Sequence, residues 1–267
     1  MKNKIDFQTR ILDIIPGTIS WSIIILPIII SIYHPFWIAV FVIVFDFQWL
    51  IKAVVFGVHL VSGYLKVRRN SAINWLERLK NFKRNPGIYL ASLERRYYHL
   101  KGHEKKYVER EIMEVKRALK KGFFNWENLY QVVILTTYKE PVDVLQASIE
   151  SYLKSSYPKD KMIIVVAMEK REGPEIYKKA EILEKAFGNK FKKLLITVHP
   201  DILGEMKAKG ANSTWASHML EKYLKKEKIQ SEDVIVSTFD ADTRTHPEYF
   251  ACLSYKYMIN PNRRHRS

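Results

Sequence analysis

Two long apolar runs open the sequence and constrain its fold more than any other feature. The first covers about residues 14–33 and the second about 36–61, and each is close to or above the ~20 residues that cross a bilayer as a helix. The turn Tyr33-His34-Pro35 between them carries no charge, whereas Lys and Arg flank both outer ends. By the positive-inside rule, both ends then stay in the cytoplasm. We therefore expect residues 1–65 to form a transmembrane hairpin in the inner or plasma membrane.

Polar residues interrupt the second run at Asp46, Gln48 and Lys52. Ionisable groups inside a membrane are costly and usually face other helices or water. This helix therefore either has one wet face or leaves the membrane near Asp46, and we interpret it as a spanning helix. A cleaved signal peptide fits poorly, because the second apolar run follows the first at once.

Residues 66–127 are strongly basic and supply much of the net charge of +16. Between positions 66 and 121 there are 17 Lys and Arg, six Glu and no Asp. Apolar residues recur there at helical spacing, and Asn85-Pro86-Gly87 predicts a break between two helices. The pattern is typical of a basic amphipathic linker on an anionic membrane surface. Nucleic-acid binding is the alternative, but no helix-turn-helix, zinc-finger or RNA-binding signature accompanies the charge, so we expect no nucleic-acid partner.

From residue 128 to 267 the pattern predicts an α/β fold. Apolar strands are expected at about 132–137, 162–167, 194–198 and 234–239, and helices at about 141–154, 174–187 and 207–226. Strands separated by helical crossovers indicate a doubly wound, mostly parallel, Rossmann-like sheet. Neither a dinucleotide-binding glycine motif nor a P-loop follows the first strand, which argues against an oxidoreductase or a P-loop enzyme.

The fourth predicted strand reads as a buried one and runs directly into Asp240-Ala241-Asp242. Ligand sites in open α/β sheets lie beyond the carboxyl ends of strands. Two carboxylates at that position offer hard oxygen ligands, which suit Mg²⁺ or Mn²⁺ carrying a diphosphate. The alternative is an ordinary helix cap, because Asp and Thr243 both cap helices well.

Four segments in this order resemble membrane-anchored family 2 glycosyltransferases, the group of cellulose, chitin and hyaluronan synthases. They are Val-Ile-Leu-Thr-Thr-Tyr-Lys-Glu at 133–140, the Ser and Tyr-Pro run at 148–158, the Gly, Ala and Asn segment at 204–212, and Asp240-Ala241-Asp242. Several motifs in the right order are more specific than any one alone. The resemblance covers roughly residues 130–260 and implies the donor-binding half of a glycosyltransferase A-type domain.

The resemblance also implies roles for individual residues. It places a nucleotide sugar, with a UDP-sugar as the expected donor, against Thr136, Thr137, Tyr138, Glu140, Glu169, Lys207, Gly210, Asn212 and Asp240. Asp240 and Asp242 would hold the Mg or Mn ion. The first four residues have a plain strand-to-helix cap as their alternative role. Glu169 replaces the aspartate usual in the family, and Lys207 is either a diphosphate ligand or one more lysine on a solvated face.

The implied activity is sugar transfer to a polysaccharide or lipid-linked acceptor at the cytoplasmic membrane face. Such a transfer needs a general base for the acceptor hydroxyl, but no Asp or Glu follows Glu248. We therefore expect an N-terminal fragment of a longer synthase and assign no catalytic base. A haloacid-dehalogenase-type phosphatase is disfavoured, because Arg244 stands where that signature requires Thr or Val. A non-catalytic, membrane-tethered nucleotide-sugar-binding protein or scaffold is the other candidate.

Overall fold

A computed structural model describes residues 7–123, 125–205 and 208–260. The chain divides after Arg68 into two compact units. The first holds the two apolar runs, and the second holds both the basic segment and the predicted α/β region. Lys207, one of the predicted site residues, lies outside the described residues.

The first unit contains the long helix α1 (Phe7–Tyr33) and nearly all of α2 (Pro35–Ser71), whose last three residues belong to the second unit. Both are long and apolar enough to cross a membrane, and none of the residues in their apolar windows is buried within the chain. The predicted turn is reduced to His34, whose N–H donates to the carbonyl of Ile30 at 2.8 Å. This break fits Pro35, which has no N–H to continue the helix. The helices are confirmed, while the hairpin and its orientation stay predictions.

The second unit contains a four-stranded sheet in which neighbouring strands are parallel, in the order β3-β2-β1-β4. The strands are β1 (Tyr130–Thr136), β2 (Met162–Glu169), β3 (Lys193–His199) and β4 (Val234–Asp240). Helices α6 (Val142–Leu153), α7 (Glu175–Phe187) and α8 (Lys209–Lys226) connect them. Apolar clusters on both faces of the sheet make it a doubly wound sheet, as predicted.

The strand β4 differs from its prediction as a fully buried strand. Within the described part of the chain it pairs only with β1, so it lies at an edge of the sheet. Val236 is accordingly 49% exposed, although Ser237 is buried. A run of β-branched residues indicates a strand, but only the pairing partners decide whether it is central or at an edge.

The basic segment forms three helices where two were predicted: α3 (Trp75–Arg84), α4 (Pro86–His99) and α5 (Gly102–Lys121). The break at Asn85 is confirmed, and its side chain caps α4 by accepting from the N–H of Ile88 at 3.0 Å.

The prediction that the apolar face of this segment lies on a membrane is wrong. Leu79, Phe82 and Leu93 are buried in the same core as α9 (Tyr249–Ile259), the helix that follows the Asp-Ala-Asp motif. Helical periodicity shows that a face is apolar, but it does not show whether lipid or protein covers that face. The second unit therefore includes residues on both sides of the domain boundary that was predicted at residue 128.

Candidate functional site

The candidate site lies where the order of the strands reverses. The connections from β1 to β2 and from β2 to β3 move outward in one direction, whereas α8 brings the chain back to place β4 on the other side of β1. Ligand sites of open α/β sheets form at such switch points, beyond the carboxyl ends of the strands. Thr136 and Asp240, the last residues of β1 and β4, are register partners there.

A cleft of about 630 Å³ opens at this point. Its lining includes eight of the predicted site residues: Thr136, Thr137, Tyr138, Glu140, Glu169, Asn212, Asp240 and Asp242. Gly210 does not line the cleft. The fold therefore brings together side chains from the ends of three strands and from α8, which are far apart in the sequence.

The loop after β1 is held by the carboxylate of Glu140. One of its oxygens accepts from the hydroxyl of Thr137 at 2.8 Å and also from the N–H of Tyr138. Lys139 between them has a φ of 67°, which a non-glycine residue adopts rarely. These bonds lie within the loop and do not cap α6, which begins at Val142 with Pro141 as its N-cap and without a side-chain capping bond. They also fix the backbone that places Tyr138 in the cleft.

A cationic and aromatic pair lines the cleft near the end of β2. Arg171 forms an ion pair with the buried Glu169, and its guanidinium carbon lies 4.2 Å from the centre of the Tyr138 ring. Arg171 belongs to none of the sequence motifs that predicted the site. Its position four residues after the end of a predicted strand was the available signal, but many lysines and arginines in this chain follow strands or helices.

Asn212 lies in the first turns of α8 and is only 1% exposed. Its amide nitrogen donates to the carbonyl of Ala167 at 2.8 Å, which ties α8 to the end of β2. Its amide oxygen has no hydrogen-bond partner among the described residues. Buried polar atoms are nearly always satisfied, so this oxygen is an unmet acceptor in a residue that lines the cleft.

The two aspartates are exposed, whereas Ala241 between them is buried. Ala241 is buried, and its carbonyl accepts from the hydroxyl of Ser148 at 2.7 Å, whereas the side chain of Asp240 is 68% exposed and Asp242 is also exposed. Asp240 forms an ion pair with Lys209, another residue that the sequence analysis did not select. The motif thus has an anchored backbone and accessible carboxylates.

The loop that carries and follows these aspartates is anchored by α6 and by the turn after it. Ser148 and Tyr152 lie on one face of α6, and Ser155 follows the end of the helix at Leu153; all three side chains donate to carbonyls of residues 241–247. The bonds are Ser148 to Ala241 at 2.7 Å, Tyr152 to Thr243 at 2.8 Å and Ser155 to Pro247 at 3.0 Å. Burial raises the pKa of Tyr152, and the charge of Asp242 raises it further, so this phenol remains a neutral donor.

The acidic residue Glu248 has a structural role at the end of this loop. One oxygen of its carboxylate accepts from the backbone N–H groups of Trp75 at 2.7 Å and Leu76 at 3.1 Å. At the start of α3 these N–H groups have no partner within the helix, and a negative charge is favourable there. Glu248 therefore joins the sheet region to the basic helices.

The residues available for a metal ion are two carboxylates. Within residues 7–123, 125–205 and 208–260, no group of three or more His, Cys, Asp or Glu side chains is placed to hold a metal. Asp240 and Asp242 are hard oxygen ligands of the kind that Mg²⁺ accepts, and this ion is commonly held by one or two carboxylates together with substrate phosphates. The donor set thus fits a cation that arrives with a phosphorylated ligand.

No protein-family model matches the chain, and no curated protein matches it.

Proposed function

We propose that this chain binds a nucleoside diphosphate sugar in the cleft between β1 and β4 and serves as the donor-binding part of a glycosyltransferase. The acceptor would be a polysaccharide or a lipid-linked saccharide at the cytoplasmic face of the membrane. The main support is the convergence of eight residues, selected from separate sequence motifs, on the lining of one cleft at the switch point.

The cleft offers different chemistry at its two ends. Near β2, the Tyr138 ring and the Arg171 guanidinium provide a flat surface that suits a nucleobase by stacking. The unpartnered amide oxygen of Asn212 can accept from an N–H or a hydroxyl of the nucleoside. Near β4, Asp240 and Asp242 would hold Mg²⁺ or Mn²⁺ and, through it, the diphosphate. A UDP-sugar is the donor that we propose.

The bound cation would supply Lewis acidity that stabilises the departing nucleoside diphosphate. The protein contributes a fixed loop for the two aspartates, through the bonds from α6, and a buried Asn212 that orients the donor. Glu248 is already bound at the start of α3, so we do not assign it as the base for the acceptor hydroxyl.

Calorimetry on the full chain in detergent tests this proposal. UDP titrated with Mg²⁺ or Mn²⁺ should bind, and the same titration in EDTA should give markedly weaker binding. Equal UDP binding with and without the cation would contradict the metal assignment, and no UDP binding at all would remove the donor site. A second assay follows transfer of a radiolabelled sugar to lipid or polysaccharide, which separates a transferase from a binding protein or scaffold.

The orientation in the membrane is a further part of this proposal. With Cys252 replaced by Ser, His34→Cys and Ser92→Cys each provide a single labelling site. A membrane-impermeant thiol reagent added to intact cells should label only His34→Cys, because the uncharged turn faces outward and the basic segment faces inward. Labelling of Ser92→Cys under these conditions would overturn the cytoplasmic assignment, and lysed cells provide the control for its reactivity.

A further inference from the structure

A second concave site lies between α3 and α4, among helices that the proposed donor site does not use. This groove has a volume of about 780 Å³ and shares no lining residue with the cleft. Three of its lining residues are arginines and none is acidic. The charged and polar lining residues are Arg78, Asn81, Arg84, Asn85, Ser92 and Arg96.

Helical spacing explains how these side chains come to face one groove. On α3, Arg78, Asn81 and Arg84 are separated by three residues each, and on α4, Ile88, Ser92 and Arg96 are separated by four. Residues three or four apart lie on the same face of a helix. The polar faces of two adjacent helices therefore form the walls of the groove, while their apolar faces are buried in the core.

The positive charge in the groove is only partly neutralised. Arg78 donates to the buried carboxylate of Glu111 at 2.8 Å. Arg84 and Arg96 are exposed, and neither forms an ion pair with any carboxylate that the structure describes. The nearby Glu94 is bound to Lys116. Two guanidinium groups are thus available to an anion from solution or from a membrane.

We propose that this groove binds the phosphate group of an anionic ligand, either free phosphate or the headgroup of a phospholipid. The planar guanidinium presents paired N–H donors that match phosphate oxygens, which makes arginine the preferred residue for such recognition. Asn81 and Ser92 add uncharged donors. Ile88 in the lining is 65% exposed and provides an apolar contact that only a lipid would use.

The test uses the full chain in a maltoside detergent, which carries no phosphate group, with EDTA, so that metal-dependent binding at the aspartates does not contribute. Inorganic phosphate and short-chain dihexanoyl phosphatidic acid are titrated separately by calorimetry, with protein-free micelles as the blank. The variant Arg84→Gln/Arg96→Gln should weaken binding at least about tenfold, since hydrogen bonds to charged groups are the stronger ones. The matched control Lys80→Gln/Arg95→Gln removes the same charge from the same two helices, outside the groove lining, and should bind as the wild type does.

Each outcome decides the proposal. An equal loss of binding in both double variants would show a general charge effect and would overturn the site, as would failure of the wild type to bind either probe. Tighter binding of phosphatidic acid than of inorganic phosphate, reduced by Ile88→Ser, would identify a lipid headgroup, and equal binding would identify free phosphate. Because EDTA is present throughout, this result is independent of whether the cleft binds a nucleotide.

Discussion

Two carboxylates of the second unit, Glu111 and Asp240, both form ion pairs in very different surroundings. Glu111 is 1% exposed, and one of its oxygens accepts from Arg78 at 2.8 Å, Tyr255 at 2.6 Å and Tyr89 at 3.2 Å. Asp240 has one partner, Lys209, and most of its side chain is open to solvent. Glu111 is thus a buried carboxylate held by three partners through one oxygen, whereas Asp240 is an exposed carboxylate with one partner.

This difference separates a structural charge from an available one. The partners of Glu111 come from three different elements, α3, α4 and α9, so the buried network fixes how those helices pack. Removing one member of such a network leaves an uncompensated buried charge. An exposed ion pair such as that of Asp240 contributes little stability, so its carboxylate can exchange the lysine for another cation.

The largest effect is expected from Glu111→Ala. The substitution leaves Arg78 nearly buried and unpaired, so the free energy of unfolding should fall by about 3–5 kcal/mol. Glu114→Ala on the same helix removes an exposed carboxylate and should change stability by no more than about 0.5 kcal/mol. Urea unfolding of the full chain in detergent, followed by tryptophan fluorescence, measures both. Similar values for the two variants would remove the distinction between the buried and the exposed charge.

Asp242→Asn should affect binding and leave the fold intact. If Asp240 and Asp242 hold the cation as proposed, neutralising one of them should weaken metal-dependent UDP binding at least about tenfold, while stability changes by no more than about 0.5 kcal/mol. Asp233→Asn, just before β4 and thus at the opposite end of the strand, is the matched control and should bind UDP normally. A loss of stability that accounts for the loss of binding would leave Asp242 with a structural role only.

A smaller effect is expected from Lys209→Gln. In the proposed site the ammonium group would compete with a metal ion for Asp240, and an exposed ion pair contributes about 0.2–1 kcal/mol, so Mn²⁺ affinity without nucleotide should rise by up to about fivefold. Lys222→Gln, on an exposed position of the same helix, should leave Mn²⁺ affinity unchanged. Unchanged Mn²⁺ affinity in Lys209→Gln would contradict the assignment of Asp240 as a metal ligand.

The smallest effect concerns alkaline pH. Burial and the charge of Glu111 raise the pKa of Tyr255 well above its ordinary value of 10. Its stability contribution is therefore complete below pH 10 and decreases as the pH rises toward the folded-state pKa. At pH 10 the decrease is about 0.4 kcal/mol, because an ordinary tyrosine is then half ionised in the unfolded chain. The variant Tyr255→Phe should lose this part of the pH dependence, as measured by urea unfolding between pH 8 and 10.5.

The sequence by itself determined most of the local structure. Apolar run lengths predicted both long N-terminal helices, and the alternation of strands and helices predicted the parallel sheet, with boundaries close to those of β1 and α7. The break at Asn85 also followed from local chemistry, since Pro86 suits the first position of a helix. These features depend on neighbouring residues in the chain, so a sequence pattern contains them.

Only the tertiary structure decided what covers each apolar face and which distant residues meet. The apolar stripe of α3 and α4 matched a membrane surface in the sequence but packs on α9, because periodicity does not specify the partner. Arg171 meets Tyr138, and Arg84 shares a groove with Arg96, through chain crossings and helix packing that no local pattern records. For the same reason β4 became an edge strand: a strand's place in a sheet is set by pairing between residues far apart in the sequence.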